Sequence, residues 1–253
     1  MSQSRTDFIL EVRGLTKDFN GFRAVNKVDL KIRTGTVHAL IGPNGAGKST
    51  VFNLITKFLE PTAGEIKFKG ADITKAPPET LASKGMVRSF QISSIFPGLT
   101  VFENIRIALQ RQNGLVYHFW QSKSSFAKLA EEVDELLESV HLHEYSKNIA
   151  GELSYGRKRA LEFATTLALK PEFILLDEPM AGLGIEDIDQ ISELIQINAK
   201  TKTVLMVEHN LSVVRQLSDM ITVLARGEVL VEGSYASVCD HPLVMEAYLG
   251  TIH

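Results

Sequence analysis

The period of the apolar positions changes along the chain, and each change marks a stretch of different structure. Phe8 to Leu15 is apolar-rich, Asn20-Gly21 is a turn dipeptide, and Val28 to Ile32 alternates with period two. These read as short strands joined by turns. Thr36 to Ile41 is a short apolar strand that runs into a glycine-rich segment, and Gly64 to Phe68 is another strand. Between them, Val51, Leu54, Ile55 and Phe58 fall at i, i+3, i+4 and i+7, which predicts a helix over Lys48 to Phe58. From about Val101 to Ala168 the pattern is mostly helical, with Val133, Leu136, Leu137 and Val140 forming a core-facing stripe. Strands and helices then alternate again. Phe173–Leu176, Thr203–Val207 and Met220–Ala225 are apolar strands, and Ile185–Asn198 and Leu211–Leu217 are helices. A last strand, Val229–Glu232, precedes short terminal helices.

Strands alternating with helices imply an α/β fold with a mainly parallel sheet covered on both faces. The helical middle, about residues 92–169, reads as an insertion into a single domain spanning 1–253. Composition agrees with a globular chain: of 253 residues, 44% are apolar and 23% charged, which excludes a disordered, collagenous or uninterrupted coiled-coil protein. The 27 basic and 30 acidic residues give a net charge of −3, so no strong field points to nucleic acid. A single cysteine, Cys239, rules out an intrachain disulfide framework and a cysteine-rich zinc module; it is expected to be a small, semi-buried residue. Met1 to Asp7 is polar and is followed by only three apolar residues, unlike a signal peptide. No apolar run approaches the ~20 residues needed to span a bilayer. Any work at a membrane would need partners that supply the membrane part.

The chemistry concentrates at three places. Gly42, Pro43, Asn44, Gly45, Ala46, Gly47, Lys48 and Ser49 fit the spacing G-x-x-x-x-G-K-[ST], with a strand before and a helix after. Successive backbone N–H groups and a helix N-terminus suit a polyphosphate. In such a loop Lys48 would reach the β- and γ-phosphates, Ser49 would ligate Mg²⁺, and Thr50 could contact the α-phosphate. This pattern alone fits kinases, GTPases, motor proteins and transport ATPases. Second, the strand Phe173–Leu176 ends in Asp177-Glu178, at the end of a parallel sheet where ligands bind. Asp177 would serve the Mg²⁺ shell and Glu178 would polarise the attacking water. Third, His209 follows another apolar strand and could donate a hydrogen bond to the γ-phosphate.

Taken together these residues resemble the ATP-binding subunits of ABC transporters, over essentially the whole chain. The deciding element is Leu153-Ser-Tyr-Gly-Arg-Lys-Arg159 just upstream of the Asp177 strand, which resembles the family's L-S-G-G-Q signature. The resemblance implies a P-loop ABC-type domain with a β-rich N-terminal part, a RecA-like core sheet and a helical insertion. It implies that Phe19 stacks on adenine, that Val25 supports the nucleotide, and that Gln91 contacts Mg²⁺ and couples the site to the membrane partner. It further implies a head-to-tail dimer in which ATP is sandwiched between one phosphate loop and Ser154 and Gly156 of the other subunit. Ala181-Gly-Leu-Gly184 resembles the D-loop.

More narrowly, Val87 to Pro97, Leu99 to Asn104, Glu178 to Leu183 and the tail Met245 to Gly250 resemble the subunits of branched-chain amino acid importers and their urea and amide relatives. That implies an ATPase of an importer, peripheral on the inner face of the plasma membrane. Its partners would be permease subunits, a second ATP-binding subunit and, indirectly, a substrate-binding protein. A lipid or lipopolysaccharide export ATPase is the alternative. Three residues depart from the family pattern: Tyr155, Arg157 and Gly184. Arg157 is expected to add positive charge near the γ-phosphate held in trans or near the helix start, where it would oppose the dipole. The cluster Leu115 to Trp120 fits either a permease or headgroup contact or a local core under the insertion.

Overall fold

The computed structural model describes residues 7–89, 95–112 and 123–249. The N-terminal strands form an antiparallel sheet. β1 (Phe8–Phe19) and β2 (Phe22–Arg33) make a hairpin about Asn20-Gly21, and β4 (Ala63–Phe68) and β5 (Ala71–Asp72) extend it in the order β2-β1-β4-β5. The second sheet has six strands: β3 (Val37–Ile41), β6 (Met86–Ser89), β7 (Phe173–Asp177), β8 (Thr203–Val207), β9 (Met220–Ala225) and β10 (Glu228–Gly233). Their order is β10-β9-β3-β8-β7-β6, parallel throughout except for β10.

Continuous apolar runs suit the central strands because both of their faces are covered. Alternation sends successive side chains to opposite faces. Phe173 and Leu175 of β7 pack with the N-terminal sheet and with α1 (Lys48–Ile55), whereas Ile174 and Leu176 pack with the helices on the other face. Phe68 of β4 stacks on Phe173 with ring centroids 6.0 Å apart, joining the two sheets. The other face carries α3 (Val101–Gln112), α4 (Lys123–Ser139), α5 (Tyr155–Ala168), α6 (Ile185–Ala199) and α7 (Leu211–Leu217). Val101, Ile105 and Leu109 of α3 share one buried cluster with Val133 and Leu137 of α4 and Leu161 and Ala164 of α5. α2 (Glu79–Ser83) precedes β6, and α8 (Tyr235–Cys239) and α9 (Pro242–Leu249) complete the fold.

Several expectations change. The helix after the glycine-rich loop ends at Ile55, because Lys57 adopts a left-handed backbone (φ 62°). Phe58 is therefore exposed and not on the core stripe. α4 stops at Ser139, although Val140 beyond it remains buried. β6 has no clear sequence signal, being only four residues long. Cys239 is exposed, since Val238 is the residue of α8 that faces the core. Gln91 and the Leu115 to Trp120 cluster lie outside the described residues.

Candidate functional site

The glycine-rich loop leaves the C-terminal end of β3, an interior strand between β9 and β8, and feeds α1. Gly42 shows why a side chain cannot replace it: a Cβ there would lie 2.1 Å from the Leu224 carbonyl oxygen of β9, at φ 149°. The loop thus crosses directly over the neighbouring strand end. Lys48 is 5% exposed, and its Nζ donates to the carbonyls of Gly42 (2.7 Å) and Pro43 (2.9 Å). Burial lowers the Lys48 pKa, and the Glu178 carboxylate opposes that shift. The result is an ammonium held inside the loop and short of water, suited to binding anionic oxygens.

Across from the loop, β7 ends at Asp177, and the chain turns sharply at Glu178, whose φ is 49°. A left-handed backbone is uncommon for a residue with a side chain. Here it is held by a bond from the Glu178 N–H to the Val207 carbonyl (2.9 Å) at the end of β8. This turn brings the Glu178 Oε1 within 2.8 Å of His209 Nε2. Both side chains are about half exposed, at 42% and 45%, so solvent and ligand can reach them. A cavity of about 360 Å³ is lined by Asn44 to Thr50, Phe22, Ala24, Glu178 and His209. A cavity of about 430 Å³ opens between Pro43–Ala46, β10 and α9, and neither Glu178 nor His209 lines it.

Two supports were not read from the sequence. Glu208 is 3% exposed, and its carboxylate accepts from the backbone N–H groups of Met180 (3.0 Å), His209 (2.7 Å) and Asn210 (2.8 Å). It ties the His209 loop to the segment after Glu178. The one sequence signal was an acid directly before the histidine. Asp177 is engaged by Arg88 of β6 at 2.7 Å. In addition, the Tyr248 hydroxyl of α9 meets the Gly42 backbone, while burial raises its pKa. The C-terminal helix therefore packs against the loop.

Most of the expected nucleotide contacts converge: Asn44 to Thr50, Glu178 and His209 line one cavity, and Gly42 and Pro43 hold Lys48 beside it. Phe19 is absent from that lining, and Phe22, across the hairpin turn, is present. Phe19 instead lies under the Lys17 ammonium, 5.1 Å from the ring centroid. Val25 is fully buried beneath the loop. Ser154 and Gly156 do not line the cavity. Ser154 caps α5 by accepting from the Arg157 N–H, and Gly156 packs on α6 so closely that a Cβ would meet Asp187 Oδ1 at 2.0 Å. The Tyr155 hydroxyl donates to the Ala181 carbonyl (3.3 Å), fastening the signature segment to the D-loop-like turn. The Arg157 guanidinium stacks on Tyr145, 4.1 Å from the ring centroid.

The chain is similar to known proteins over nearly its full length. A family model described as ABC transporter matches residues 25–181. The high-affinity branched-chain amino acid transport ATP-binding protein BraF of Pseudomonas aeruginosa is 40% identical over 252 residues, covering 96% of this chain and 98% of that protein. The solved ADP conformation of an ATP-binding cassette of an ABC transporter superposes with a TM-score of 0.83 at 31% identity, covering 97% of this chain and all (100%) of that one. A second cassette, solved as a dimer in a post-hydrolysis state with ADP and Pi, gives a TM-score of 0.74 at 25% identity, covering 89% and 98%.

Proposed function

Because the chain belongs to the ABC transporter family, as the match over residues 25–181 establishes, we propose that it hydrolyses Mg-ATP to drive an importer of branched-chain or other hydrophobic amino acids. The observation that carries the hydrolytic reading is the Glu178–His209 contact at the cavity lined by the phosphate loop. The cargo class rests on the 40% identity to BraF over nearly the whole chain. No feature favours a lipid or lipopolysaccharide exporter over it.

The loop N–H groups and Lys48 bind and orient the β- and γ-phosphates, with Phe22 of the cavity lining on the adenosine side. Glu178 accepts the proton of the water that attacks the γ-phosphorus, as the bond to the β-phosphate oxygen breaks. His209 holds Glu178 in place and donates to the γ-phosphoryl oxygens as charge moves onto them. The donor set suits magnesium, which keeps several waters and takes few protein oxygens. Ser49 is exposed and lines the cavity, Asp177 lies at the strand end, and we assign Gln91 as a further ligand. Among the described residues no cluster of three or more His, Cys, Asp or Glu offers a separate cage. Magnesium held by these residues would supply positive charge that offsets the negative charge of the phosphates.

Ser154 and Gly156 do not line this chain's own cavity. We assign them to the γ-phosphate of a second subunit, through the N-terminus of α5. ATP then closes a dimer and hydrolysis releases it, a population shift driven by contacts that only ATP makes to both halves. We assign residues 92–169 as a helical subdomain and Gln91 as its link to the permease. No helix among the described residues is long and apolar enough to cross a membrane. Permease subunits would therefore hold the protein at the inner face of the plasma membrane.

Affinity purification of the tagged chain from detergent-solubilised membranes, followed by mass spectrometry, tests the assignment. Two polytopic membrane proteins and a second ATP-binding chain are expected. Recovery of only ribosomal or DNA-associated partners overturns it.

A further inference from the structure

Arg88 occupies a position that the sequence did not flag. It lies on β6, three residues before Gln91, with its side chain 8% exposed. Nη2 donates to Asp177 Oδ2 at 2.7 Å. Nη1 donates to Asn53 Oδ1 at 2.7 Å and to Thr56 Oγ1 at 3.1 Å. The guanidinium lies over Phe52 and Phe58, 4.8 and 5.0 Å from their ring centroids. Phe58, which is off the α1 stripe, thus covers this group.

Three facts make the arrangement more than a buried ion pair. Ser49, Asn53 and Thr56 fall at i, i+4 and i+7, so they share one face of α1 and its end. A rigid guanidinium fork, which lysine could not reproduce, therefore joins the face that carries Ser49 to the carboxylate of Asp177. Arg88 engages one carboxylate oxygen, Oδ2, by that bond. Burial also opposes charge on the Arg88 guanidinium, while Asp177 favours it. Buried ion pairs add little net stability over apolar packing, so stability alone is a poor reason for this one.

We propose that Arg88 is a positioning residue: it fixes the Asp177 carboxylate against the Ser49 face of α1, so that the divalent-metal shell is set before nucleotide arrives. The inference rests on the assignment of Asp177 to that shell. Residues that orient a metal-binding group commonly change metal affinity by about 10- to 100-fold when replaced.

The test uses the full chain with Arg88→Lys, Arg88→Met, Asn53→Ala and Asp177→Asn variants. Mn²⁺ binding to the protein–ADP complex is followed by loss of the free-ion paramagnetic resonance signal, and the Mg²⁺ dependence of ATP hydrolysis is recorded in parallel. Arg88→Lys should weaken Mn²⁺ binding by about 10-fold, with metal-free ADP affinity unchanged. Half-saturation by Mg²⁺ should rise more than the rate at saturating Mg²⁺ falls. A merely structural role would lower the rate and the melting temperature without moving the metal midpoint. Asn53→Ala, which removes one arm and leaves Asp177 paired, should shift the midpoint in the same direction and carries the test if Arg88→Met does not fold. Unchanged or tighter Mn²⁺ binding in the Arg88 variants, with Asp177→Asn weakened, overturns the proposal and leaves the Asp177 assignment standing. Unchanged binding in Asp177→Asn removes both.

Discussion

At Glu178 and His209, single residues carry the proposed reaction, and both were legible because each follows an apolar strand. What the sequence did not reveal is how they are held. Glu178 adopts φ 49°, and Glu208 takes three backbone N–H groups around the pair. Local spacing carries no record of bonds between segments that meet only on folding. His38 gives this scale its own prediction. It is fully buried in β3, its Nε2 is 2.7 Å from Thr222 Oγ1, and burial pushes its pKa down to about 4 from 6.5. Between those two values the unfolded chain binds the proton and the folded chain does not, so stability falls as the pH drops from 6.5 towards 4. His38→Gln should lose about 2–3 kcal/mol of this acid-side decline. Urea unfolding of both proteins between pH 7.5 and 4.5 measures it, and parallel declines would rule out His38 as the source.

At the level of elements, helix starts and strand ends do the positioning. α1 starts at Lys48 and α5 is capped by Ser154, so each presents free N–H groups where phosphate oxygens are expected. The packing of α5 on α6 was not legible, because it depends on Gly156 lying against Asp187. Gly156→Ala should destabilise the protein by about 1–3 kcal/mol through overpacking. The double variant Gly156→Ala/Asp187→Ala should recover most of that loss in thermal unfolding. No recovery would mean that close approach to Asp187 is not what requires glycine. The stacking of Arg157 on Tyr145 likewise comes from the turn that brings residue 145 beside the helix.

For the whole molecule, the cavity holds the phosphate loop and the proposed base, while Ser154 and Gly156 lie off it. Under the proposed assignment of Ser154 and Gly156 to a second subunit's γ-phosphate, that division makes assembly a requirement of turnover. Glu178→Gln should bind ATP with near wild-type affinity, lower hydrolysis by about 10² to 10⁴-fold, as expected for loss of a general base, and accumulate as an ATP-bound dimer. Size exclusion with light scattering, with and without ATP, reads the dimer. Normal turnover in this variant would remove Glu178 from its assigned role.

The sequence by itself determined the α/β class, the mainly parallel sheet of buried strands and the positions of the phosphate loop, the acidic pair and the histidine. Each of these is written in local periodicity or in a short spacing such as Gly42 to Ser49, and neighbours along the chain enforce both. Only the tertiary structure decided that α1 stops at Ile55, that Phe22 and not Phe19 lines the cavity, and that Arg88 and Glu208 brace the site. The bracing by Arg88 and Glu208 was not legible because it depends on contacts between residues far apart in sequence: Arg88 and Asp177 are 89 positions apart, and Met180 and Glu208 are 28 apart. Such pairs leave no periodic trace in one chain, because their partners become neighbours only when the sheet assembles.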